Sequence, residues 1–206
     1  AFGLALSIAR KIPSLSVRTS KGEWARSTGM ELAGKTIGII GLGAIGRVVA
    51  RCAQGFSMKV ISYDPFMDAS YASEHGIEVR SFEELLSQAE IITLHLPLTD
   101  QTRHMINSET IQLMKDNVIL INASRGGIID ETAACEGLKT GKIGGLGLDA
   151  FEKEPPVDSP LLAFDNVVAT PHTGAHTKEA AENMAVLAVE NLISVLTDQT
   201  CPYIVN

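Results

Sequence analysis

The chain has 206 residues, 45% of them apolar and 20% charged, an ordinary globular usage that excludes a disordered, collagen-like or low-complexity polypeptide. Seventeen basic against 24 acidic residues leave a net charge of −7, which speaks against a broad footprint for nucleic acid or an anionic membrane. Cys52, Cys135 and Cys201 stand far apart without C-x-x-C spacing, so a reducing, cytoplasmic compartment is expected, with neither a disulfide framework nor a zinc site.

The opening stretch places its basic pair, Arg10-Lys11, after the apolar segment, whereas a signal peptide carries that charge first. No apolar run reaches the roughly 18 residues of a membrane span. The chain starts without Met in an apolar helical pattern, Phe2, Ala5, Leu6, Ala9 and Ile12, which Pro13 is expected to stop; a piece of a longer protein is expected. Ser14 to Gly34 is polar and reads as an irregular connection carrying the only tryptophan, Trp24.

Thr36 to Ile40 is a short β-branched run ending in glycine, a buried-strand signal, and Ala44 to Phe56 has Ile45, Val48, Val49, Cys52 and Ala53 at helical spacing. Lys59 to Tyr63, closed by Asp64-Pro65, completes a βαβ unit. The alternation continues with a strand at Ile77 to Val79 and a helix opened by the capping box Ser81-Phe-Glu-Glu84. Ile91 to Leu96 is a strand stopped by Pro97, Asn107 to Met114 a helix, and Val118 to Ala123 an apolar strand. Asp130 to Lys139 is a helix ended by Gly141, and Gly145 to Leu148 and Val167 to Thr170 are short strands around a loop at Pro155-Pro156. Lys178 to Leu196 closes the series as an amphipathic helix through Ala181, Met184, Ala185, Ala188, Leu192 and Leu196. About seven nearly continuous apolar strands alternating with helices predict an α/β fold, a doubly wound parallel sheet covered on both faces.

Gly41-Leu-Gly43-Ala-Ile-Gly46 lies where a strand ends and a helix begins, the context in which G-x-G-x-x-G binds a dinucleotide. The first glycine permits the turn, the second removes the side chain that would block a pyrophosphate, and the third lets helix and strand pack closely. Asp64 follows about 20 residues on, where a carboxylate accepts the ribose hydroxyls and repels a 2′-phosphate, so NAD is favoured over NADP. Arg125, directly after a buried strand, suits bidentate binding of a substrate carboxylate; pairing with Asp130 is the bland alternative. His172, in Thr170-Pro-His172-Thr-Gly174, is of the type that exchanges a proton with a hydroxyl near neutral pH, and a carboxylate such as Glu154 would orient it.

Six pieces occur in order: Gly41-Leu-Gly-Ala-Ile-Gly46, Asp64-Pro65, Leu94-His95-Leu-Pro97-Leu-Thr99, Asn122-x-x-Arg125-Gly126-x-x-x-Asp130, Leu148-Asp149-x-Phe151-x-x-Glu154-Pro155 and Pro171-His172-x-Gly174. Together they resemble the D-isomer-specific 2-hydroxyacid dehydrogenases over nearly the whole chain. The resemblance implies a Rossmann-type domain over residues 1–206 with crossover helices at both ends, and a substrate domain outside this chain. It implies Arg125, Glu154 and His172 as a catalytic trio. Cofactor contacts would come from Gly41, Gly43, Ala44, Ile45 and Gly46, from Asp64, from His95, Leu96 and Pro97, from Ala123, Ser124 and Arg125, and from Asp149 near the nicotinamide, with His172, Gly174 and Ala175 beside it.

The same resemblance implies NAD as cofactor, a small 2-hydroxy acid as substrate, no nucleic-acid or membrane partner, and a homodimer or higher homo-oligomer for the full-length protein, paired through its opening helix. Lys21-Gly-Glu-Trp24, Gly174-Ala-His-Thr177-Lys-Glu-Ala180 and the closing Val205-Asn206 are similar to one branch, which acts on a phosphorylated hydroxy acid. Ala150, Thr173 and His176 depart from the family pattern, while Glu154 stands where the formate dehydrogenases carry glutamine. The family also holds transcriptional co-repressors that sense the dinucleotide, a binding-module alternative to the enzyme. His75, His104 and His176 receive no role, and no metal constellation is read.

Overall fold

The computed structural model describes residues 1–197, 199–201 and 203; Val205 and Asn206 of the branch-like closing segment lie outside the described residues. Contacts group the chain into two compact units, Ala1–Pro171 and His172–Asn206.

The first unit is organised by a seven-stranded sheet in the order β3-β2-β1-β4-β5-β6-β7. Its strands are β1 (Thr36–Ile40), β2 (Lys59–Tyr63), β3 (Glu78–Val79), β4 (Ile91–Leu94), β5 (Val118–Asn122), β6 (Ile143–Leu148) and β7 (Val167–Ala169), all paired in parallel. Continuous apolar runs are required because both faces are covered. On one face Ile37, Ile39, Ile91, Ile119 and Ile121 pack with residues of α1 (Phe2–Ala9), α3 (Ala44–Gly55) and α4 (Ala69–Glu74). Ile40, Ile92, Leu94, Leu120 and Leu146 pack on the other with α5 (Phe82–Gln88), α6 (Ser108–Leu113) and α7 (Glu131–Thr140). Strand order reverses between β1 and β4, which lie side by side, and this is the switch point at which open α/β sheets bind ligands.

Local signals end the helices where the sequence expects. Ser81 and Glu84 form a reciprocal capping box on α5, Asn107 and Asp130 cap α6 and α7, and Gly141 closes α7 in the left-handed conformation at φ 78°. Three expectations are corrected. Pro13 does not end a helical segment: Lys11, at φ 53°, breaks the chain after α1, and Pro13 then sits in the first turn of α2 (Ile12–Ser20), where its missing N–H costs nothing. The stretch expected to be irregular therefore begins inside a helix. β4 stops at Leu94, so His95 to Pro97 lie beyond the strand, and α4, capped by Asp68, was not foreseen.

The stripe of α1 packs within the domain. Leu4, Ala5 and Ala9 are buried, and glycines on β6 make room for the helix: a Cβ on Gly147 would lie 3.0 Å from the Leu4 Cβ, and one on Gly145 would overlap Ile8. In the second unit α8 (Lys178–Leu196), capped by Thr177, forms as expected. None of its residues is buried, and its exposed apolar residues include Val186, Val189, Ile193 and Val195 besides the expected Met184 and Leu192.

Candidate active site

The three loop glycines differ in what requires them. Gly41 has φ 96°, and a Cβ there would stand 2.5 Å from the His95 carbonyl oxygen. A Cβ on Gly46 would run into the Gly41 carbonyl and come within 3.3 Å of Ile39 Cγ2. Both are demanded by the protein's own backbone. Gly43 is not: its φ is −72°, and no protein atom lies within 4 Å of where its Cβ would be. It begins the twelve-residue α3 without a capping side chain, leaving open space at a helix N-terminus, which fits a pyrophosphate held by backbone N–H groups. Ala44 and Ile45 open that helix, with Ile45 exposed.

At the end of β2 the Asp64 carboxylate braces this loop. Its Oδ2 accepts the Leu42 N–H at 2.8 Å and its Oδ1 the Phe66 N–H at 2.8 Å, leaving lone pairs on both oxygens for a ribose diol. Beyond β4, the His95 ring is largely buried, with Nε2 at 2.9 Å from Thr93 Oγ1 and Nδ1 buried without a hydrogen-bond partner. Burial pushes its pKa down to about 4, so the ring is neutral near pH 7. An unpartnered polar atom next to the glycine loop is a second feature that fits a polar ligand at the switch point. Leu96 and Pro97 continue the same segment, and the Leu96 side chain borders Gly41.

Beyond β5 the fully buried Asn122 shapes the turn that carries Ala123, Ser124 and Arg125. Its Nδ2 donates to the Arg125 carbonyl at 2.8 Å, and its Oδ1 accepts from Ser124 N at 3.1 Å and Ser124 Oγ at 2.8 Å. Arg125 is exposed, and its Nη1 donates to the Ser124 carbonyl at 2.8 Å. Asp130, its bland alternative partner, caps α7 by accepting from Thr132 and Ala133. Gly126 brings the second catalytic candidate near: a Cβ there would overlap the Phe151 carbonyl, so the backbone after Arg125 lies against that of Phe151–Glu152. Glu154 accepts the Phe151 N–H at 3.1 Å. Glu131 and Glu152 each accept the other's N–H, at 2.8 and 3.1 Å, tying the start of α7 to this loop, and His104 Nε2 stands 3.2 Å from Glu152 Oε1. Burial raises the Glu131 pKa; the Glu152 N–H offsets part of this and the Glu152 charge adds to it.

Asp149, after β6, is buried at 5% exposure, accepts from Thr170 Oγ1 at 2.5 Å and donates its N–H to the Asn122 carbonyl at 2.9 Å. The ends of β5, β6 and β7 are thus joined by hydrogen bonds. In the second unit His172 is exposed with φ 52°, a left-handed conformation that is uncommon outside glycine. Gly174 and Ala175 lie in an exposed turn, closed by the His176 N–H on the Thr173 carbonyl at 2.9 Å. The sequence places Asn122 and Thr170 within quoted motifs but assigns no role to them, nor to Arg47. Asn122 had a visible signal, a polar residue ending an otherwise apolar strand; the other two act through contacts that no linear spacing announces. Among the described residues there is no group of three His, Cys, Asp or Glu able to hold a metal, and no helix is long and apolar enough to cross a membrane.

A parallel sheet with a glycine loop at its switch point and an acid closing the second strand defines a dinucleotide-binding α/β domain. The sequence profile described as D-isomer specific 2-hydroxyacid dehydrogenase, NAD binding domain, matches residues 2–174. The chain belongs to this family, as its NAD-binding domain. It is 47% identical over 207 residues to a D-3-phosphoglycerate dehydrogenase of Methanocaldococcus jannaschii, an alignment covering 99% of this chain and 40% of that protein. To a hydroxypyruvate reductase of Thermotoga maritima it is 45% identical, over 95% of this chain and 65% of the other. Among solved structures, a D-lactate dehydrogenase from Aquifex aeolicus complexed with NAD and lactic acid superposes with a TM-score of 0.88 at 33% identity, covering 96% of this chain and 65% of that one. The chain therefore spans less than two thirds of the length of each of these relatives.

Proposed function

We propose that this chain is the cofactor domain of a cytoplasmic, NAD-dependent D-2-hydroxyacid dehydrogenase whose substrate is D-3-phosphoglycerate, oxidised at the entry to serine synthesis. The observation that carries the substrate is the 47% identity, over 99% of the chain, to a relative of that name. The reaction class is supported by chemistry-bearing residues following the sheet strands: Asp64 after β2, Arg125 after β5, Glu154 in the loop after β6 and His172 after β7. NAD, when bound, takes the hydride from the substrate carbon that bears the hydroxyl. The Gly43 N-terminus of α3 holds the pyrophosphate and Asp64 the adenosine ribose, while His95, Leu96, Pro97, Ala123, Ser124, Asp149, Gly174 and Ala175 line the remainder. Arg125 binds the substrate carboxylate, His172 takes the hydroxyl proton, and Glu154 orients the imidazole.

A hydroxypyruvate or glyoxylate reductase is the second reading, favoured by the 45% identity to the Thermotoga maritima protein. The substrate domain lies in the part of the longer protein outside this chain, and that protein is a homodimer or higher homo-oligomer; exposed Ile12, Val17 and Trp24 on α2 and the loop after it support association. The deciding experiment is turnover by the full-length protein with 3-phosphoglycerate, hydroxypyruvate and glyoxylate, repeated with His172→Ala. General acid–base catalysis contributes about 10² to 10⁴ in rate, so a loss of that size is expected, with NADH affinity nearly kept. Turnover confined to hydroxypyruvate or glyoxylate selects the second reading; no turnover of any of them, with NADH still bound, selects a dinucleotide-sensing binding protein.

A further inference from the structure

Leu42, at the apex of the glycine loop, is held from both sides. Its N–H donates to Asp64 Oδ2 at 2.8 Å, and its carbonyl accepts from Arg47 Nε at 3.2 Å. Arg47 and Asp64 are therefore anchored to the two ends of one residue, so a guanidinium and the carboxylate proposed for the adenosine ribose are held by the same loop. A guanidinium in that place is the group with which dinucleotide-binding domains accept a 2′-phosphate. Yet Arg47 is otherwise engaged. Its Nη2 lies 3.5 Å from Asp68 Oδ2, and its Cζ lies 3.9 Å from the centre of the Tyr71 ring, both supplied by the segment that follows Asp64. Asp68 also caps α4, its Oδ1 accepting from the N–H groups of Ser70 and Tyr71, so its second oxygen is directed to Arg47 by the geometry of the cap.

We propose that Asp68 is a second determinant of NAD over NADP, acting with Asp64: it holds the Arg47 guanidinium in an ion pair and so withholds that cation from a 2′-phosphate. Asp64 repels the phosphate directly, whereas Asp68 removes the charge that would compensate for it. The inference rests on the NAD-binding reading and deepens it. Two changes are needed to admit NADP, loss of repulsion at Asp64 and release of Arg47.

The experiment is titration of this domain with NADH and NADPH, the readout being the ratio of the two dissociation constants. The unmodified domain binds NADH more tightly; equal binding would overturn the NAD reading itself and is distinguishable from failure of the Asp68 proposal. Asp64→Asn narrows the ratio. Adding Asp68→Asn, which keeps a capping oxygen for α4, shifts the ratio further toward NADPH by about tenfold, the worth of one charge-assisted bond from a freed guanidinium to phosphate. Asp68→Ser, which also caps, gives a shift of the same sign. The shift disappears when Arg47→Gln is added. An unchanged ratio on adding either Asp68 substitution overturns the proposal, and so does a shift that survives Arg47→Gln, because the cation would then have no part in it.

Discussion

Gly43→Ala separates a residue kept for the ligand from one kept for the fold. No protein atom lies within 4 Å of the added methyl and φ is an ordinary −72°, so the only cost to the apo domain is a poorer helix N-cap, about 0.5 kcal/mol. At about 2 to 4 °C per kcal/mol for a domain of this size, the midpoint of thermal unfolding falls by about 1 to 2 °C. Binding should suffer far more, because the methyl fills the open space over the N-terminus of α3 that the proposed function gives to the pyrophosphate. Each backbone N–H bond to a charged group is worth about 1.5 to 3 kcal/mol, so losing two weakens NADH by more than about 100-fold. Gly46→Ala has the opposite profile. Its methyl collides with the Gly41 carbonyl, a backbone atom that no rotamer change can move. Overpacking of about 1 to 3 kcal/mol exceeds the gain of about 1 kcal/mol in helix propensity, and the midpoint drops by several degrees. Calorimetric unfolding and NADH titration of both variants measure the contrast. Gly43→Ala binding NADH within about threefold of the unmodified chain would refute the reasoning.

Two further outcomes follow from packing and burial. Gly147→Ala places a methyl 2.7 Å from Ile121 Cδ1 and 3.0 Å from Leu4 Cβ, so it lifts α1 from the sheet and costs about 1 to 3 kcal/mol in denaturant unfolding; an unchanged midpoint would mean that α1 is not held there. His95, whose pKa is pushed down from 6.5 to about 4, is neutral in the folded chain while its unfolded counterpart takes up a proton between those values. The unfolded state binds more protons in that window, so stability is full above pH 6.5 and falls by up to about 3 kcal/mol as pH drops toward 4. His95→Gln should flatten that part of the stability profile, and an equally steep loss in the variant would assign the acid sensitivity to other groups.

What was legible in the sequence is what a parallel sheet makes local. Each strand is a short, mostly apolar run, and all seven are legible because burial on both faces keeps polar residues few, Ser62, Thr93 and Asn122 being the buried exceptions. Caps were legible for the same reason: Ser81 with Glu84, and Gly141, act within one turn of their own position. The break at Lys11 was not, since nothing in a lysine announces φ 53°, and a proline after an apolar helix looks like a stop until the chain is seen to restart one residue earlier. Five strand ends moved by one or two residues, at β3, β4, β5, β6 and β7, because apolar context does not mark where a ladder stops. Arg47 and Asp68 escaped because the contact joining them crosses from α3 to the segment after β2.

The edge of the sheet also decides which polar residues gather at the switch point. In an all-parallel sheet every strand ends on the same edge, so Gly41, Asp64, His95, Asn122 and Asp149, each following or closing its strand, are gathered there whatever their separation in sequence. Glu90 shows what the opposite edge does with the same chemistry. It stands just before β4, accepts the Thr36 N–H at 2.8 Å from the start of β1, and takes the Lys115 ammonium at 2.8 Å from the segment leading into β5. It has a buried backbone bond on either side, donating to Thr36 and accepting from Ile119. Asp64 and Glu90 are thus both carboxylates that accept a backbone N–H of a neighbouring strand's flank. Asp64 does so at the carboxyl edge, where the N–H it holds belongs to a loop with open space beyond Gly43; Glu90 does so at the amino edge, where three strands begin and the bonds it makes tie them in register. The strand end a polar residue occupies therefore separates the groups proposed to meet the ligand from those that hold register.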